Sequence, residues 1–200
     1  LTSFIALPPD YPNLIDSAGN LLWQYKGVPF LSNPLAYLKY KYQIQTDNLI
    51  SNLHLSYQIF SGLTVKTDFG YNFSYVDEAS ILPLSAQNPI RHPTGSSQLA
   101  NNSAMSWILE PQIEFSKAVS KGKLQILVGI TFQKLTGKGV NIGASGYTND
   151  ALLQSLSGAS TVSAINSYSE YKYNAGFGRI NYNWDDKYIL NLTGRRDGSS

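Results

Sequence analysis

The stretch Leu63-Thr64-Val65-Lys66-Thr67-Asp68-Phe69-Gly70-Tyr71-Asn72-Phe73-Ser74-Tyr75 decides the fold. Its odd positions carry Leu, Val, Thr, Phe, Tyr, Phe and Tyr; its even positions carry only Thr, Lys, Asp, Gly, Asn and Ser. A period of two places the two sets on opposite sides of an extended strand, one apolar and aromatic, the other polar.

The same period runs outward in both directions. Upstream, Leu49, Leu53, Leu55, Tyr57 and Ile59 alternate with Asn52, His54, Ser56 and Gln58, and Ser61-Gly62 supplies the tight link to the next strand. Downstream, Trp107, Leu109, Ile113 and Phe115 alternate with Ser106, Glu110, Gln112, Glu114 and Ser116. A short connection over 118–122 leads to Leu124, Ile126, Val128, Ile130 and Phe132 against Gln125, Gly129, Thr131 and Gln133. A third hairpin joins Tyr171, Tyr173, Ala175 and Phe177 to Tyr188, Leu190 and Leu192 through a turn at 183–187. Around Gly176 and Gly178 its apolar parity switches to Ile180 and Tyr182, which predicts a bulge. The expected fold is all-β, an antiparallel up-and-down meander of about six long strands in three hairpins. The strands are expected at 45–60, 63–76, 104–117, 123–136, 168–183 and 187–197, with long loops over 77–103 and 137–167.

Loop lengths then set the architecture. Short and long connections alternate, so the short turns gather at one end of the sheet and the long loops at the other. Compact soluble domains rarely carry two such loops, whereas outer-membrane barrels do so as a rule. Aromatic residues gather near the turn end (Tyr57, Phe60, Phe115, Tyr182, Trp184, Tyr188) and again near the loop end (Tyr71, Phe73, Tyr75, Trp107, Phe132, Tyr171, Tyr173). Two belts at that spacing suit rings seated at both membrane interfaces. Six strands are too few to close a bacterial single-chain barrel, whose minimum is about eight. Part of a large transmembrane β-barrel is therefore expected, with 1–44 an extracellular-loop segment leading into it and 45–200 a partial barrel. The alternative is a self-contained soluble β-barrel or sandwich binding a small apolar or sugar ligand, since a sandwich core also alternates.

Composition closes other routes. Of 200 residues, 14% are charged and 42% hydrophobic, and 15 basic against 13 acidic side chains leave a net charge of +2. So balanced a charge does not suit a protein that binds nucleic acid by neutralising phosphates, and the profile is not that of a disordered tail or coiled coil. The absence of cysteine removes disulfides, thiolate metal sites and thiol nucleophiles. The longest apolar run, around Ile126-Leu127-Val128-Gly129-Ile130, is far short of the roughly 18 residues of a transmembrane helix. The chain opens on Leu1 without an initiator Met and stops at Ser200 directly after a strand-like run, so both ends are expected to be cuts.

Particular residues also resemble a known family. Asn33-Pro34-Leu35-Ala36-Tyr37-Leu38, Asn52-Leu53-His54-Leu55-Ser56-Tyr57, and Gly62-Leu63-Thr64-Val65-Lys66 with Gly70 resemble the barrel of SusC/RagA-type TonB-dependent outer-membrane transporters of Bacteroidetes. So do Phe177-Gly178-Arg179-Ile180-Asn181-Tyr182-Asn183-Trp184, Asp186-Lys187-Tyr188-Ile189-Leu190 and Arg195-Arg196-Asp197-Gly198-Ser199-Ser200, which look like the family's strand–turn–strand signature. The resemblance covers most of the chain from about residue 33 onward. It implies import of oligosaccharides or peptides across the outer membrane, contact with outer-membrane lipid, energy delivered by the TonB complex, and a SusD-like lipoprotein over the extracellular mouth. The family's plug and TonB box lie upstream of the matching region, so this segment is not expected to transport alone.

Enzymatic chemistry finds little footing. Glu110 and Glu114 share a strand face but stand about 13 Å apart, beyond the 5–9.5 Å of a glycosidase pair, and are expected to line a wet lumen. Asp185-Asp186 reads as a turn pair and not a metal site. His54 falls on the polar face and His92 in the loop Asn88-Pro89-Ile90-Arg91-His92-Pro93, neither with an orienting partner pattern. Gly137-Lys138-Gly139-Val140-Asn141-Ile142-Gly143 lacks Walker spacing and reads as a flexible loop root. A short helix is expected near 148–156, capped by Thr148 or Asn149. The sequons at Asn72 and Asn191 sit mid-strand. Arg179, Arg195 and Arg196 either pair with lumen carboxylates, the favoured reading, or act as lumen cations touching substrate or plug, and Tyr37, Tyr40 and Tyr42 either stack on sugar rings or serve as interface aromatics. No catalytic, cofactor-binding or metal-ligating residue is assigned, no cofactor is implied, and the substrate-contacting residues are unknown.

Overall fold

The computed structural model describes residues 7, 8, 10–30 and 32–200. Two-residue strands β1 (Gln24–Tyr25) and β2 (Val28–Pro29) form a small hairpin of their own. Six long strands follow: β3 (Lys41–Phe60), β4 (Leu63–Leu82), β5 (Gly95–Val119), β6 (Gly122–Tyr147), β7 (Thr161–Trp184) and β8 (Tyr188–Ser199). They form one sheet in the order β3-β4-β5-β6-β7-β8, the antiparallel meander that period-two alternation and short links require.

The tight turns have local causes. Gly62 sits at φ +92°, where a side chain is strained, and a Cβ there would run into the Ser116 carbonyl oxygen. That approach allows the Ser116 N–H to donate to the Gly62 carbonyl at 2.7 Å. In the third hairpin Asp185 and Asp186 both adopt left-handed backbone, φ 54° and 51°, which Asp tolerates better than most residues.

The chain divides into two compact units. One comprises 46–75, 102–138 and 167–200, and its sheet has a polar and an apolar face. On the polar face His54 meets Asp68, Lys66 meets Glu114 and Glu110 meets Thr131. On the other, Leu53, Leu55, Phe69, Ile113, Val128, Ile130, Phe132, Leu190 and Leu192 all stay exposed. Ala175 is the unit's one buried hydrophobic residue among those described. A soluble sandwich or barrel would enclose such side chains; this apolar face is left for an environment outside the chain. The second unit, 1–45, 76–101 and 139–166, carries a small conventional core of Ile81, Ala144, Tyr147 and Leu153.

Four local expectations are corrected. Strands β4 to β7 extend well past the alternating segments, so the connections are 83–94 and 148–160 in place of 77–103 and 137–167. Around Asp77, Ser97, Asn101 and Asn141 the sequence no longer alternates cleanly, yet ladder pairing needs only backbone donors and acceptors. Bonds such as Asn101 Nδ2 to Asp77 and Ser97 to Tyr147 hold those extensions. Gly137–Gly143 accordingly lies inside β6 and is no loop root. The helix near 148–156 is only a 3₁₀ turn, Asp150–Leu152, capped by Asn149, with a second turn at Leu156–Gly158. The bulge at Gly176 and Gly178 is absent from the β7–β8 pairing, whose register is unbroken from Tyr173↔Ser199 to Trp184↔Tyr188. The parity switch is real but is chemical. Even positions are apolar from Leu192 and Ile180 down to the turn and polar beyond, at Asn174, Lys172 and Glu170.

Candidate functional site

Side chains on the polar face are fixed by cross-strand pairs. His54 Nδ1 lies 2.6 Å from Asp68, Lys66 Nζ 2.7 Å from Glu114, and the Thr131 hydroxyl donates to Glu110 at 2.8 Å. Each partner sits on a neighbouring strand at the same face position, the arrangement that cross-strand geometry favours. Glu110 and Glu114 are thus engaged by different strands, and the pair has no shared space for acid–base chemistry. Arg179 lines a cavity of about 250 Å³ with Glu114 and Gln125. Farther along, Arg195 donates to Asp197 at 2.8 Å and to the Tyr173 hydroxyl at 2.6 Å, and its guanidinium lies 5.5 Å from the Phe177 ring centre.

Arg196 departs from expectation. It cannot join Arg195 on one face, because successive residues of a strand point to opposite sides. It pairs in register with Gly176. Asp185 is held by Lys187 at 3.2 Å and Asp186 by Asn183 at 2.8 Å, so both carboxylates serve the turn. Asn72 and Asn191 are mid-strand, as the sequence reading had them. Among the described residues no three His, Asp or Glu side chains come together as metal ligands do, and no helix is long and apolar enough to cross a membrane.

The other unit builds a pocket. Asn33 is buried and does three things at once: its amide donates to the Leu14 and Leu22 carbonyls at 2.7 and 2.9 Å, and its oxygen accepts from Leu35 N–H. Pro34 follows, and the two start a 3₁₀ turn over Pro34–Lys39. The turn presents Tyr37 next to Tyr40, ring centres 5.4 Å apart and tilted 59°. Opposite, Asn88 caps a second turn, Pro89–Arg91, closed by His92 in left-handed backbone. Gln87 Nε2 ties that loop together by donating to the Pro83 and Thr94 carbonyls. Trp23, Tyr37, Tyr40, Gln87, Asn88 and Arg91 surround a cavity of about 400 Å³. Tyr42, beyond it on β3, hydrogen-bonds Glu78.

The loops 83–94 and 148–160 are joined by Asp150. Its carboxylate accepts from the Leu84 N–H at 2.6 Å and the Ser85 N–H at 3.2 Å. Burial pushes this carboxyl upward, but the Ser85 hydroxyl, the two backbone donors and nearby Lys39 outweigh it and hold the group below its ordinary value. The sequence offered no signal for Asp150, Arg91 or Trp23, whose roles depend on which loops meet.

Searches of known proteins agree with this geometry. No family model matches the chain. TonB-dependent receptor P3 of Formosa agariphila is 27% identical over 158 residues, 78% of this chain and 16% of the relative. TonB-dependent receptor P26 of the same organism is 26% identical over 191 residues, 92% of this chain and 19% of the relative. Among solved structures, the RagAB peptide importer in its open-open state superposes with a TM-score of 0.75 over 96% of this chain and 22% of that one, at 21% identity. The chain is similar in sequence to TonB-dependent receptors and shares the fold of the barrel in the RagAB importer. The siderophore receptor PiuA of Acinetobacter baumannii is more distant, at a TM-score of 0.50 and 14% identity. TonB-dependent receptors are outer-membrane β-barrel transporters of Gram-negative bacteria and not enzymes. The chain spans less than a fifth of the length of the curated relatives it matches.

Proposed function

We propose that this SusC/RagA-like chain is a wall segment of an importer that takes oligosaccharides or peptides across the outer membrane of a Bacteroidetes-like bacterium. Residues 1–44 form an extracellular-loop segment and 45–200 a partial barrel, which is not transport-competent alone. The observation that carries the reading is the two-sided sheet: Lys66–Glu114 and Glu110–Thr131 on one face, an uncovered Val128, Ile130 and Leu190 on the other. A polar wall facing a wet lumen and an apolar wall facing lipid require that division. The lipid contact is with the outer membrane, the energy comes through a TonB complex, and a SusD-like lipoprotein covers the mouth; similarity to the barrel of the RagAB peptide importer supports this reading.

Uptake tests it. Cells in which the gene carrying this sequence is disrupted should lose accumulation of one class of labelled oligosaccharide or peptide. Restoring the gene should restore accumulation only while the inner membrane is energised. Unchanged uptake of every oligosaccharide and peptide offered would overturn the reading.

A further inference from the structure

We propose that the pocket of Trp23, Tyr37, Tyr40, Gln87, Asn88 and Arg91 is a subsite for one acidic sugar residue, a uronate within an oligosaccharide. This rests on the importer reading above and narrows it to a substrate class. The cavity, about 400 Å³, falls among ordinary small-ligand sites. Its walls are aromatic, and the two tyrosines make a corner at 59°. A pyranose ring presents a flat C–H face that packs on such rings while its hydroxyls stay at the rim.

The rim chemistry fits hydroxyls. The Asn88 side-chain oxygen is occupied by the Ile90 N–H, which leaves its NH2 as donor. The Gln87 NH2 is occupied twice over, which leaves its oxygen as acceptor. A donor and an acceptor on adjacent residues match a group that both gives and takes a hydrogen bond. Among the described residues, Arg91 is the only charged side chain in the lining and no carboxylate lines the pocket to neutralise it. Its planar fork suits a carboxylate in two-point contact.

A peptide fits less well. Extended peptides are held by adding to a strand edge through backbone bonds, and these walls are built on the 3₁₀ turns Pro34–Lys39 and Pro89–Arg91. Both turns are fixed before any ligand arrives, one by buried Asn33 and the other by the Asn88 cap and the Gln87 bonds, so little ordering accompanies binding.

The test uses the receptor as the cell makes it, extracted in detergent, and titrates a glucuronate-containing tetrasaccharide, its neutral glucose counterpart and an acidic tetrapeptide by calorimetry. The uronate should bind most tightly. Arg91→Gln should weaken it roughly ten- to a hundred-fold, the scale of a charged hydrogen bond, and weaken the neutral sugar severalfold less. Arg91→Lys should recover part of the loss, and Tyr37→Ala should weaken both sugars. Resistance of the folded barrel to SDS without heating checks that each variant is intact. Equal binding of acidic and neutral sugars, or an Arg91→Gln variant that binds uronate normally, overturns the proposal. Arg91-dependent binding of the tetrapeptide alone also overturns it, while leaving import of peptides standing. Tight uronate binding without gene-dependent uptake would preserve the subsite and remove the importer reading.

Discussion

Replacing Val128 with Arg separates a lipid-facing strand from a solvent-facing one. Val128 stands six residues above Gly122, where β6 begins. At about 3.3 Å per residue and a tilt of 35–45°, a strand gains roughly 2.5 Å of height per residue, which puts Val128 about 15 Å above the turn. That is close to the middle of an apolar band about 25 Å tall. In the isolated chain the side chain is 54% exposed, so on a soluble sheet Val128→Arg would change stability by no more than about 0.5 kcal/mol. In lipid the guanidinium costs about 2–4 kcal/mol at that depth. The folding equilibrium then falls roughly thirty- to several-hundred-fold. The assay is equilibrium folding of the receptor from denaturant into phospholipid bilayers. Gln133→Arg, one strand-face away on the polar side, is the control and should cost less than about 1 kcal/mol. Equal effects of the two substitutions would refute the division of faces.

Other outcomes follow from single contacts. Gly129→Ala would place a Cβ against the Phe177 ring and should destabilise by about 1–3 kcal/mol in the same assay, with Phe177→Leu in the double variant recovering much of it. A double-mutant cycle on Lys66 and Glu114 should give a coupling below about 1 kcal/mol that shrinks with salt, because both side chains are about a third exposed. Asp150→Ala should speed hydrogen exchange at the Leu84 and Ser85 amides, with a local loss of about 1.5–3 kcal/mol. The native Asp150 carboxyl is held below its unfolded value, so its contribution is complete above the unfolded carboxyl's range. As pH falls through the lowered native value that contribution is lost, so the protection of those two amides, measured against the intrinsic exchange rate at each pH, should fall there and stay level on the alkaline side.

The sheet was legible because lipid and lumen impose a period of two on Leu63–Tyr75 and, with Leu127 the one apolar exception on the polar face, on Leu124–Gln133, and because Gly62 and Asp185-Asp186 mark turns that need left-handed backbone. The strand extensions were not. Past Asp77 and Lys134 no apolar band selects the side chains, and backbone pairing leaves little trace in residue type. The parity switch at Gly176 and Gly178 looked like a bulge because one face changes from apolar to polar partway along a continuous strand. At the site, Tyr37 and Tyr40 stood out as an aromatic cluster, but Trp23, Gln87, Asn88 and Arg91 reach the same pocket from segments far apart in the chain. Such convergence is set by loop packing, which carries no periodic signal.

The face assignment can be measured directly in a receptor whose cysteines outside this cysteine-free stretch are replaced by serine. Single cysteines at positions 124 to 133 of β6, spin-labelled in the receptor reconstituted in bilayers, report collision with oxygen in lipid and with a nickel chelate in water. Labels at 124, 126, 128, 130 and 132 should favour oxygen and those at 125, 127, 129, 131 and 133 the chelate or neither. Chelate access at 126, 128 and 130 equal to that at their neighbours would contradict a lipid-facing wall.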